Sequence, residues 1–311
     1  MKKMVIAGGT GYLGRVLTDY FVSEGYQCVI LTRKIHPNSP QTSQIKWVEW
    51  DGKSLGAWSR ELEGAEAVIN LSGRSVNCRY NDRNKLAIFT SRQWSTFVLG
   101  KALQECQHPP KVWLNSSSAT IYRHAEDRPM NEENGELGAG FSVEVCQLWE
   151  HTCNAFKLPN TRTVLLRTAL VLGNKGGVFP ELVGLTRWGL GGKMGGGKQM
   201  VSWLHEKDFV QAVHWLIKNN GAEGVYNLVA PTAISNVEMM AALRRTLKMP
   251  IGLPSTNWML DIGTWLKQTE AELVLKSRWV EPTRLLNEGF CFEFETFGVA
   301  CQNLLLEKPA V

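Results

Sequence analysis

The chain has 311 residues, of which 44% are hydrophobic and 20% charged, and its formal net charge is +5. That length permits one large α/β domain or two lobes, and the composition excludes a disordered or fibrous protein. No apolar run approaches the ~18 residues that a membrane span needs, and the cations form no Lys/Arg block, so we expect neither a membrane nor a nucleic acid as a partner.

The first predicted elements are an apolar strand at Met4–Ala7 and an amphipathic helix at Tyr12–Ser23, joined by a turn with the spacing G-x-G-x-x-G. This order is typical of dinucleotide-binding folds, in which the glycines let the backbone approach a pyrophosphate at the helix N-terminus. The alternative is a tight turn without a ligand. The residues predicted to contact the cofactor here are Gly8, Gly9, Thr10, Gly11, Tyr12, Leu13 and Gly14.

The second predicted strand, Gln27–Thr32, ends in Thr32-Arg33-Lys34. Folds that bind NAD place an Asp or Glu about twenty residues after the glycines, where it binds the ribose 2′-hydroxyl. Here a hydroxyl and two cations stand instead, which suits a 2′-phosphate, with Arg33 as its bidentate partner. The sequence therefore predicts NADP as the cofactor. The alternative is that Arg33 and Lys34 belong to a solvated loop.

Two further strands and a long helix are predicted to complete the cofactor side. Ile45–Asp51 alternates like a half-buried strand, and Asp51 at its end is expected to meet the adenine. Ala65–Leu71 is a buried strand whose end, Leu71-Ser72-Gly73, has small residues that let the backbone approach the cofactor. Asn81–Leu103 is a helix, and its Arg92 is expected to pair with a cofactor phosphate or to form an intrahelical salt bridge.

Strands and helices continue to alternate along the chain, which predicts an α/β fold with a doubly wound parallel sheet of Rossmann type. Residues 1–168 and 206–232 are assigned to the NADP-binding domain. Residues 169–205 and 233–311 are assigned to a second, smaller C-terminal lobe. The predicted elements are strands at Lys111–Asn115, Arg162–Thr168 and Gly224–Val229, and helices at Phe141–Phe156, Lys207–Asn219 and Asn236–Leu247.

The cysteines are seven in number and none forms a C-x-x-C pair. An odd number without this spacing predicts reduced, mostly buried thiols and a cytoplasmic protein. The N-terminal apolar run is interrupted at Gly8, too early for a signal peptide. No group of His, Cys and acidic residues has metal-ligand spacing, so no metal is expected.

With these motifs the chain resembles an extended, atypical short-chain dehydrogenase/reductase, most closely the epimerase-like subfamily that ends in an uncharacterised C-terminal domain. The marks of the resemblance include Gly8-Gly-Thr-Gly-Tyr-Leu-Gly14, Asn70-Leu-Ser-Gly73, Ser118-Ala-Thr-Ile-Tyr122, Leu166-Arg-Thr168, Gly191-Gly-Lys-Met-Gly195 and Trp203-Leu-His205. The resemblance implies further cofactor contacts at Ser118, Thr168 and Val171. It also implies a substrate side formed by Arg79, Gln199, Trp203 and His205.

The catalytic Tyr-x-x-x-Lys pair of short-chain dehydrogenases is absent. None of the six tyrosines is followed four residues later by lysine, and the expected helix carries Phe141 and Val145 at these two positions. Ser118 corresponds to the serine that binds the reacting oxygen in related enzymes. Tyr122 is the candidate proton donor, and the alternative is that it only packs beside the cofactor. Cys146 is a further candidate, although a lone helical cysteine is more often a small buried hydrophobe.

Two functions from different classes follow from this pattern. The first is an NADP-dependent oxidoreductase or epimerase-like enzyme that acts on an unidentified small molecule with an atypical proton donor. The second is a non-catalytic NADP(H)-binding protein with a redox-sensing or regulatory role, which the missing Tyr/Lys pair favours. The polar residues expected on both sides of the cleft favour the enzyme.

Overall fold

The computed structural model describes residues 1–37, 39, 42–255 and 276–306. These residues contain eleven strands, and seven of the strands form one sheet. They are β1 (Lys3–Ala7), β2 (Gln27–Thr32), β3 (Ile45–Glu49), β4 (Ala67–Asn70), β5 (Val112–Ser118), β6 (Arg162–Thr168), β7 (Leu170–Leu172), β8 (Met200–Val201), β9 (Trp203–His205), β10 (Gly224–Leu228) and β11 (Ile234–Ser235).

The main sheet has seven parallel strands in the order β10-β6-β5-β4-β1-β2-β3. The chain builds outward from β1 in one direction through β3 and then in the other through β4, β5 and β6. This reversal confirms the doubly wound α/β fold. It also places a topological switch point between β1 and β4, and ligands bind such sheets at the carboxyl ends of the strands there.

Eight helices are described in the same ranges. They are α1 (Tyr12–Ser23), α2 (Asp82–Glu105), α3 (Phe141–Asn154), α4 (Phe179–Arg187), α5 (Glu206–Lys218), α6 (Asn236–Thr246), α7 (Thr283–Asn287) and α8 (Phe297–Leu306). None of them is long and apolar enough to cross a membrane.

The sheet separates two apolar layers. On one face, residues of α1 and α5 such as Leu17, Phe21 and Phe209 pack against inward residues of the strands, for example Ile6. On the other face, α2 contributes Leu99 and its neighbours. Strands buried on both faces read as continuous apolar runs, which is why their positions were visible in the sequence.

A third apolar cluster belongs to the C-terminal part of the fold. It contains Phe179 of α4, Met240 of α6 and Cys301 of α8, and every buried member lies between residues 172 and 304. Two small sheets, β7 with β9 and β8 with β11, lie in the same part of the chain. The assigned boundaries of the two lobes stay a prediction.

Two differences from the predicted elements bear on the site. The predicted strand ending at Asn115 continues to Ser118, because Ser116–Ser118 pair in register with Leu166–Thr168 of β6. Residues 173–198, which are rich in glycine, also contain an unpredicted helix, α4, with a proline in its first turn and buried Phe179 and Leu182. Within the predicted smaller lobe, residues 256–275 and 307–311 lie outside the described residues.

Candidate functional site

The glycine turn after β1 packs closely against the backbone at the end of β4 and against the start of α1. Gly8 has φ +81°, and a Cβ there would lie 2.9 Å from the carbonyl carbon and oxygen of Leu71. A Cβ on Gly14 would lie 2.5 Å from Cα of Gly9, so α1 can approach the turn only because both positions lack a side chain. The Gly14 contact fits the close helix packing predicted for the third glycine of the motif, whereas Gly8 is the extra glycine that precedes the first, Gly9.

The N-terminus of α1 is available for an anion. Gly11 precedes the helix, no side chain caps it, and no acidic residue lies in the first turn. Helix N-termini carry free N–H groups and a partial positive charge. Thr10 and Leu13 beside it are half-buried, and Arg15 donates through Nε to the Thr10 carbonyl at 3.0 Å.

The end of β4 closes the opposite side of this turn. The backbone N–H of Ser72 donates to Asn70 Oδ1 at 3.1 Å, while the buried Oγ of Ser72 has no hydrogen-bond partner among the described residues. An unsatisfied buried hydroxyl beside a glycine cradle fits a bound polar group. The residues at the switch point therefore fit the pyrophosphate and ribose of a dinucleotide.

Gly73 lies beneath the side chain of Arg92, whose Cζ would be 3.0 Å from a Cβ at that position. Arg92 donates through Nη1 to the carbonyls of Arg74 and Ile88 at 3.0 and 3.2 Å and lies 4.9 Å above the Trp149 ring. Burial lowers the pKa of this guanidinium, and it forms no ion pair with a described carboxylate. The alternative of an intrahelical salt bridge is therefore wrong.

The end of β2 carries the residues predicted to select the cofactor. Thr32 is buried, and its hydroxyl forms a local turn by donating to the Lys34 carbonyl at 3.1 Å. Arg33 is exposed, and its guanidinium has no hydrogen bond or ion pair to any described residue. Asp51 is also exposed, and its Oδ1 accepts from Lys53 and Ser54 at 2.8 and 2.9 Å, which lowers the pKa of its carboxyl.

Ser118 is half-exposed at the carboxyl end of β5. Its Oγ accepts from the Thr120 backbone at 3.2 Å and lies 3.5 Å from the Thr168 carbonyl, so the two predicted contacts are adjacent. Thr168 is half-buried, whereas Val171 is 7% exposed and packs in the core. A side-chain contact of Val171 with the cofactor is therefore not supported.

Tyr122 does not reach a cleft, which corrects its predicted role as proton donor. Its side chain is 0% exposed, and its hydroxyl donates to Asn227 Oδ1 at 3.0 Å and accepts from Arg167 Nη1 at 2.9 Å. Burial raises the pKa of the phenol, although Arg167 acts in the opposite direction. Both hydrogen bonds of the hydroxyl are used inside the protein, and whether Tyr122 packs beside the cofactor stays a prediction.

Three of the residues predicted for the substrate side are also interior. Gln199 is 4% exposed and donates to the Met194 carbonyl at 2.9 Å, and Trp203 is 1% exposed and donates to the Thr232 carbonyl at 3.0 Å. His205 is 0% exposed; its Nδ1 accepts from the Lys207 backbone at 3.0 Å at the start of α5, and its ring stacks on Phe294 at 3.8 Å. These positions are corrected to structural ones. Arg79 is half-buried, and its backbone carbonyl accepts from Asn84.

The position of the missing catalytic tyrosine is filled by an aromatic cluster. Phe141 lies 4.7 Å from the ring of Tyr80 and 5.2 Å from that of Phe89. The ammonium of Lys85 lies 5.6 Å from the centre of the Phe141 ring. Burial raises the pKa of the Cys146 thiol to about 12, so this residue is neutral at physiological pH and unsuited to the thiolate role.

Sequence reasoning missed a buried polar network beneath the site. Glu150 accepts from both Arg167 Nε and Nη2 at 2.8 Å, and Ser117 donates to the same carboxylate at 2.6 Å. Arg167 belongs to the Leu166-Arg-Thr168 motif on β6, but its partner Glu150 lies on α3. A polar residue at an inward strand position is the one signal that pointed to such a pair.

A second link that sequence reasoning missed joins α1 to α5. The Tyr12 hydroxyl donates to Glu206 Oε2 at 2.6 Å. Burial is the larger cause that raises the pKa of this phenol, and the neighbouring carboxylate raises it further. The Tyr12 ring also packs on Gly176 and Gly177. The side chain of Tyr12 is therefore a structural link, and only its backbone remains for the cofactor.

Together, the sheet order and the glycine cradle at its switch point define a dinucleotide-binding α/β protein of the short-chain dehydrogenase/reductase type. The chain belongs to the NAD dependent epimerase/dehydratase family, which it matches over residues 4–228. Residues 257–304 match a domain of unknown function (DUF1731), as the resemblance predicted.

Relatives and solved structures agree with this family. The epimerase family protein SSP1921 of Staphylococcus saprophyticus is 31% identical over 98% of this chain and 100% of its own length. The crystal structure of the human epimerase family protein SDR39U1 with NADPH superposes with a TM-score of 0.87 at 25% identity, covering 98% of this chain and 100% of that one. The crystal structure of the nucleoside-diphosphate sugar epimerase from Corynebacterium glutamicum superposes with a TM-score of 0.78 at 27% identity. The match covers 98% of this chain and 58% of that one.

Proposed function

We propose that this protein is an NADP(H)-dependent oxidoreductase or epimerase-like enzyme that acts on a small molecule. The observation that carries the proposal is the glycine cradle facing the unpaired Ser72 hydroxyl at the switch point of the sheet. The similar human protein, whose structure holds NADPH, supports the choice of cofactor. Arg33, exposed and without a carboxylate partner among the described residues, is the group proposed to bind the 2′-phosphate.

The chain's own residues support a reaction next to the cofactor. NADPH supplies a hydride when bound, and the substrate carbonyl then needs hydrogen-bond donors at its oxygen. Ser118 is half-exposed at the strand end that faces the switch point, and its hydroxyl is the proposed donor. Lys85 brings a second donor to the aromatic cluster around Phe141.

The second candidate is a non-catalytic NADP(H)-binding protein, and the burial of Tyr122 favours it. With Tyr122 in the core and Phe141 and Val145 at the positions of the catalytic pair, the described residues present no phenol in that role. A positioned general acid typically contributes ~10²–10⁴ in rate. This candidate therefore predicts tight cofactor binding with no turnover.

The first experiment measures cofactor binding by NADPH fluorescence in wild type and in Gly8→Ala. The alanine side chain would contact the Leu71 carbonyl at 2.9 Å, so we expect Gly8→Ala to lose NADPH binding. Gly64→Ala is the matched control, because Gly64 also has a positive φ (+66°) but no atom within 4 Å of a Cβ. Equal loss of binding in both variants, or wild-type protein that does not bind NADPH, would reject the proposal.

The second experiment separates the two candidates. Wild type is incubated with NADPH and a panel of aldehydes, ketones and nucleotide sugars, and the absorbance of NADPH is followed while products are identified by mass spectrometry. Turnover that is lost in Ser118→Ala, with NADPH affinity retained, supports the enzyme. Binding of NADPH without turnover of any compound supports the binding protein.

A further inference from the structure

The excess positive charge of the chain is concentrated beside the candidate site. Between Leu71 and Arg92 there are five cations and one carboxylate, Asp82, a balance of +4 within a chain of net charge +5. The cations are Arg74, Arg79, Arg83, Lys85 and Arg92. The charge is therefore less evenly spread than the composition suggests, and it gathers at the loop after β4 and the start of α2.

Two of these cations lie on one face of α2. Lys85, Phe89 and Arg92 follow one another at i, i+4 and i+7, which places them on one side of the helix. Phe141 at the start of α3 contacts this face from the opposite side, 5.2 Å from the Phe89 ring and 5.6 Å from the Lys85 ammonium. Lys85 therefore packs against Phe141, the residue at the position of the missing catalytic tyrosine.

The two cations of this face have different neighbours along α2. Arg92 lies over Gly73, beside the cofactor cradle. Lys85 is two turns nearer the N-terminus of α2, about 10 Å away at 1.5 Å per residue. The helix that carries Phe141 also carries Cys146, which approaches the Ser118 backbone. Lys85 thus lies nearer to Phe141, at the position of the missing catalytic tyrosine, than to the glycine cradle.

Lys85 is half-buried as a residue, its ammonium lies against the Phe141 ring, and it forms no ion pair with a described carboxylate. An ammonium without a counter-ion can donate to an anion at this position through charge-assisted hydrogen bonds. The neighbouring Arg74 donates to Asn84 Oδ1 at 2.8 Å, and this neutral amide brings no negative charge to the region.

We propose that the cleft takes a substrate with a carboxylate or phosphate close to the carbon acted upon, and that Lys85 binds this anion. The inference rests on the proposed function, because it deepens the same site. It names a substrate class that neutral aldehydes and ketones do not represent, and it makes Lys85 the residue that distinguishes acidic from neutral carbonyl compounds.

The test is calorimetric titration of the NADPH-saturated protein with malonate and with glycerol 2-phosphate at constant ionic strength. Malonamide and glycerol serve as the neutral counterparts. We expect at least one anion to bind the wild type about tenfold or more tightly than it binds Lys85→Gln, and Lys85→Arg to retain binding. Which of the two anions binds distinguishes a carboxylate from a phosphate.

Lys101→Gln is the matched control, because Lys101 lies on the same helix with its ammonium 5.3 Å from the ring of Phe97, outside the cleft. It should bind the anions like the wild type. Equal affinity in wild type and Lys85→Gln, equal loss in Lys101→Gln, or no binding of either anion would overturn the inference.

NADPH affinity is measured separately for every variant. If NADPH binds and neither anion does, this inference alone fails. If NADPH does not bind, the proposed function fails, and the same titrations on cofactor-free protein decide the role of Lys85.

Discussion

At the scale of single residues, two arginines differ in their exposure to solvent. Arg33 projects from the end of β2 into solvent, whereas Arg167 lies in the interior against Glu150. The exposed guanidinium has its hydrogen-bonding capacity available to a ligand. The buried one donates to Glu150 and to the Tyr122 hydroxyl inside the protein, so only the first is expected to influence cofactor choice.

The first prediction concerns Arg33→Ala. Because one charge-assisted contact to the 2′-phosphate is worth about 1.4 kcal/mol or more, the variant should bind NADPH about tenfold more weakly, with NADH affinity unchanged. Calorimetry with both cofactors measures this. Arg187→Ala, which removes an exposed arginine of α4, is the control and should keep the wild-type preference. Equal affinity of the wild type for the two cofactors would contradict the assignment.

The second prediction concerns Tyr122→Phe. The change removes the hydroxyl that pairs with Arg167 and Asn227 and leaves a buried donor and a buried acceptor without it. We expect a loss of about 1–3 kcal/mol in the free energy of unfolding, with NADPH affinity unchanged. Urea denaturation and NADPH fluorescence measure the two effects. A variant as stable as the wild type but with reduced turnover would return Tyr122 to the active site.

At the scale of elements, α1 and α5 are joined through an imidazole. His214 of α5 lies 2.8 Å from the Tyr20 hydroxyl through Nδ1 and 3.4 Å from the Tyr26 hydroxyl through Nε2. Burial lowers the pKa of His214 below 6.5, Lys218 and Lys2 lower it further, and Glu24 opposes them. The neutral ring is thus the form that contacts Tyr20 of α1 and Tyr26 in the segment after it.

The third prediction is a pH dependence of stability from this contact. Below pH 6.5 the unfolded chain binds a proton at His214 more readily than the folded one, so stability should fall as pH drops from 6.5 towards the folded pKa. His214→Gln should flatten this part of the profile in urea denaturation between pH 7 and 5. His36→Gln removes an exposed histidine and should leave the slope unchanged. A slope that survives in His214→Gln would exclude the contact as its cause.

At the scale of the whole molecule, a buried carboxylate attaches the C-terminal segment to the sheet domain. Asp208 of α5 is 0% exposed and accepts from the backbone N–H groups of Glu293 and Phe294 at 2.8 and 3.0 Å. Phe294 in turn stacks on His205. Burial raises the pKa of the Asp208 carboxyl, while the two backbone bonds lower it.

The fourth prediction is that Asp208→Asn weakens this attachment. The new amide nitrogen would face one of the two backbone N–H groups, so a hydrogen bond is replaced by a contact between two donors. We expect the free energy of unfolding to fall by about 1–3 kcal/mol. Urea denaturation and limited proteolysis of the C-terminal segment measure the loss. Asp19→Asn, at an exposed position of α1, should behave like the wild type. Unchanged stability and unchanged cleavage would show that other contacts hold the segment.

The sequence by itself determined the features that depend on local chemistry. The bounds of α1, β2 and β6 follow from apolar periodicity, and the cradle at Gly8 and Gly14 follows from a turn that excludes a Cβ. The family was also visible, because its motifs are short and contiguous. Each of these signals lies within a few neighbouring residues.

Only the tertiary structure decided which polar side chains face the cleft. On sequence grounds Tyr122 could be either a proton donor or a packing residue. Its hydroxyl bonds to Asn227, which is 105 positions away in the sequence, and this contact lies in the core. His205 is covered by Phe294, and Lys85 meets Phe141 from another helix. Burial is set by packing between distant segments, so a motif can name the residues of a site without showing which of them reach it.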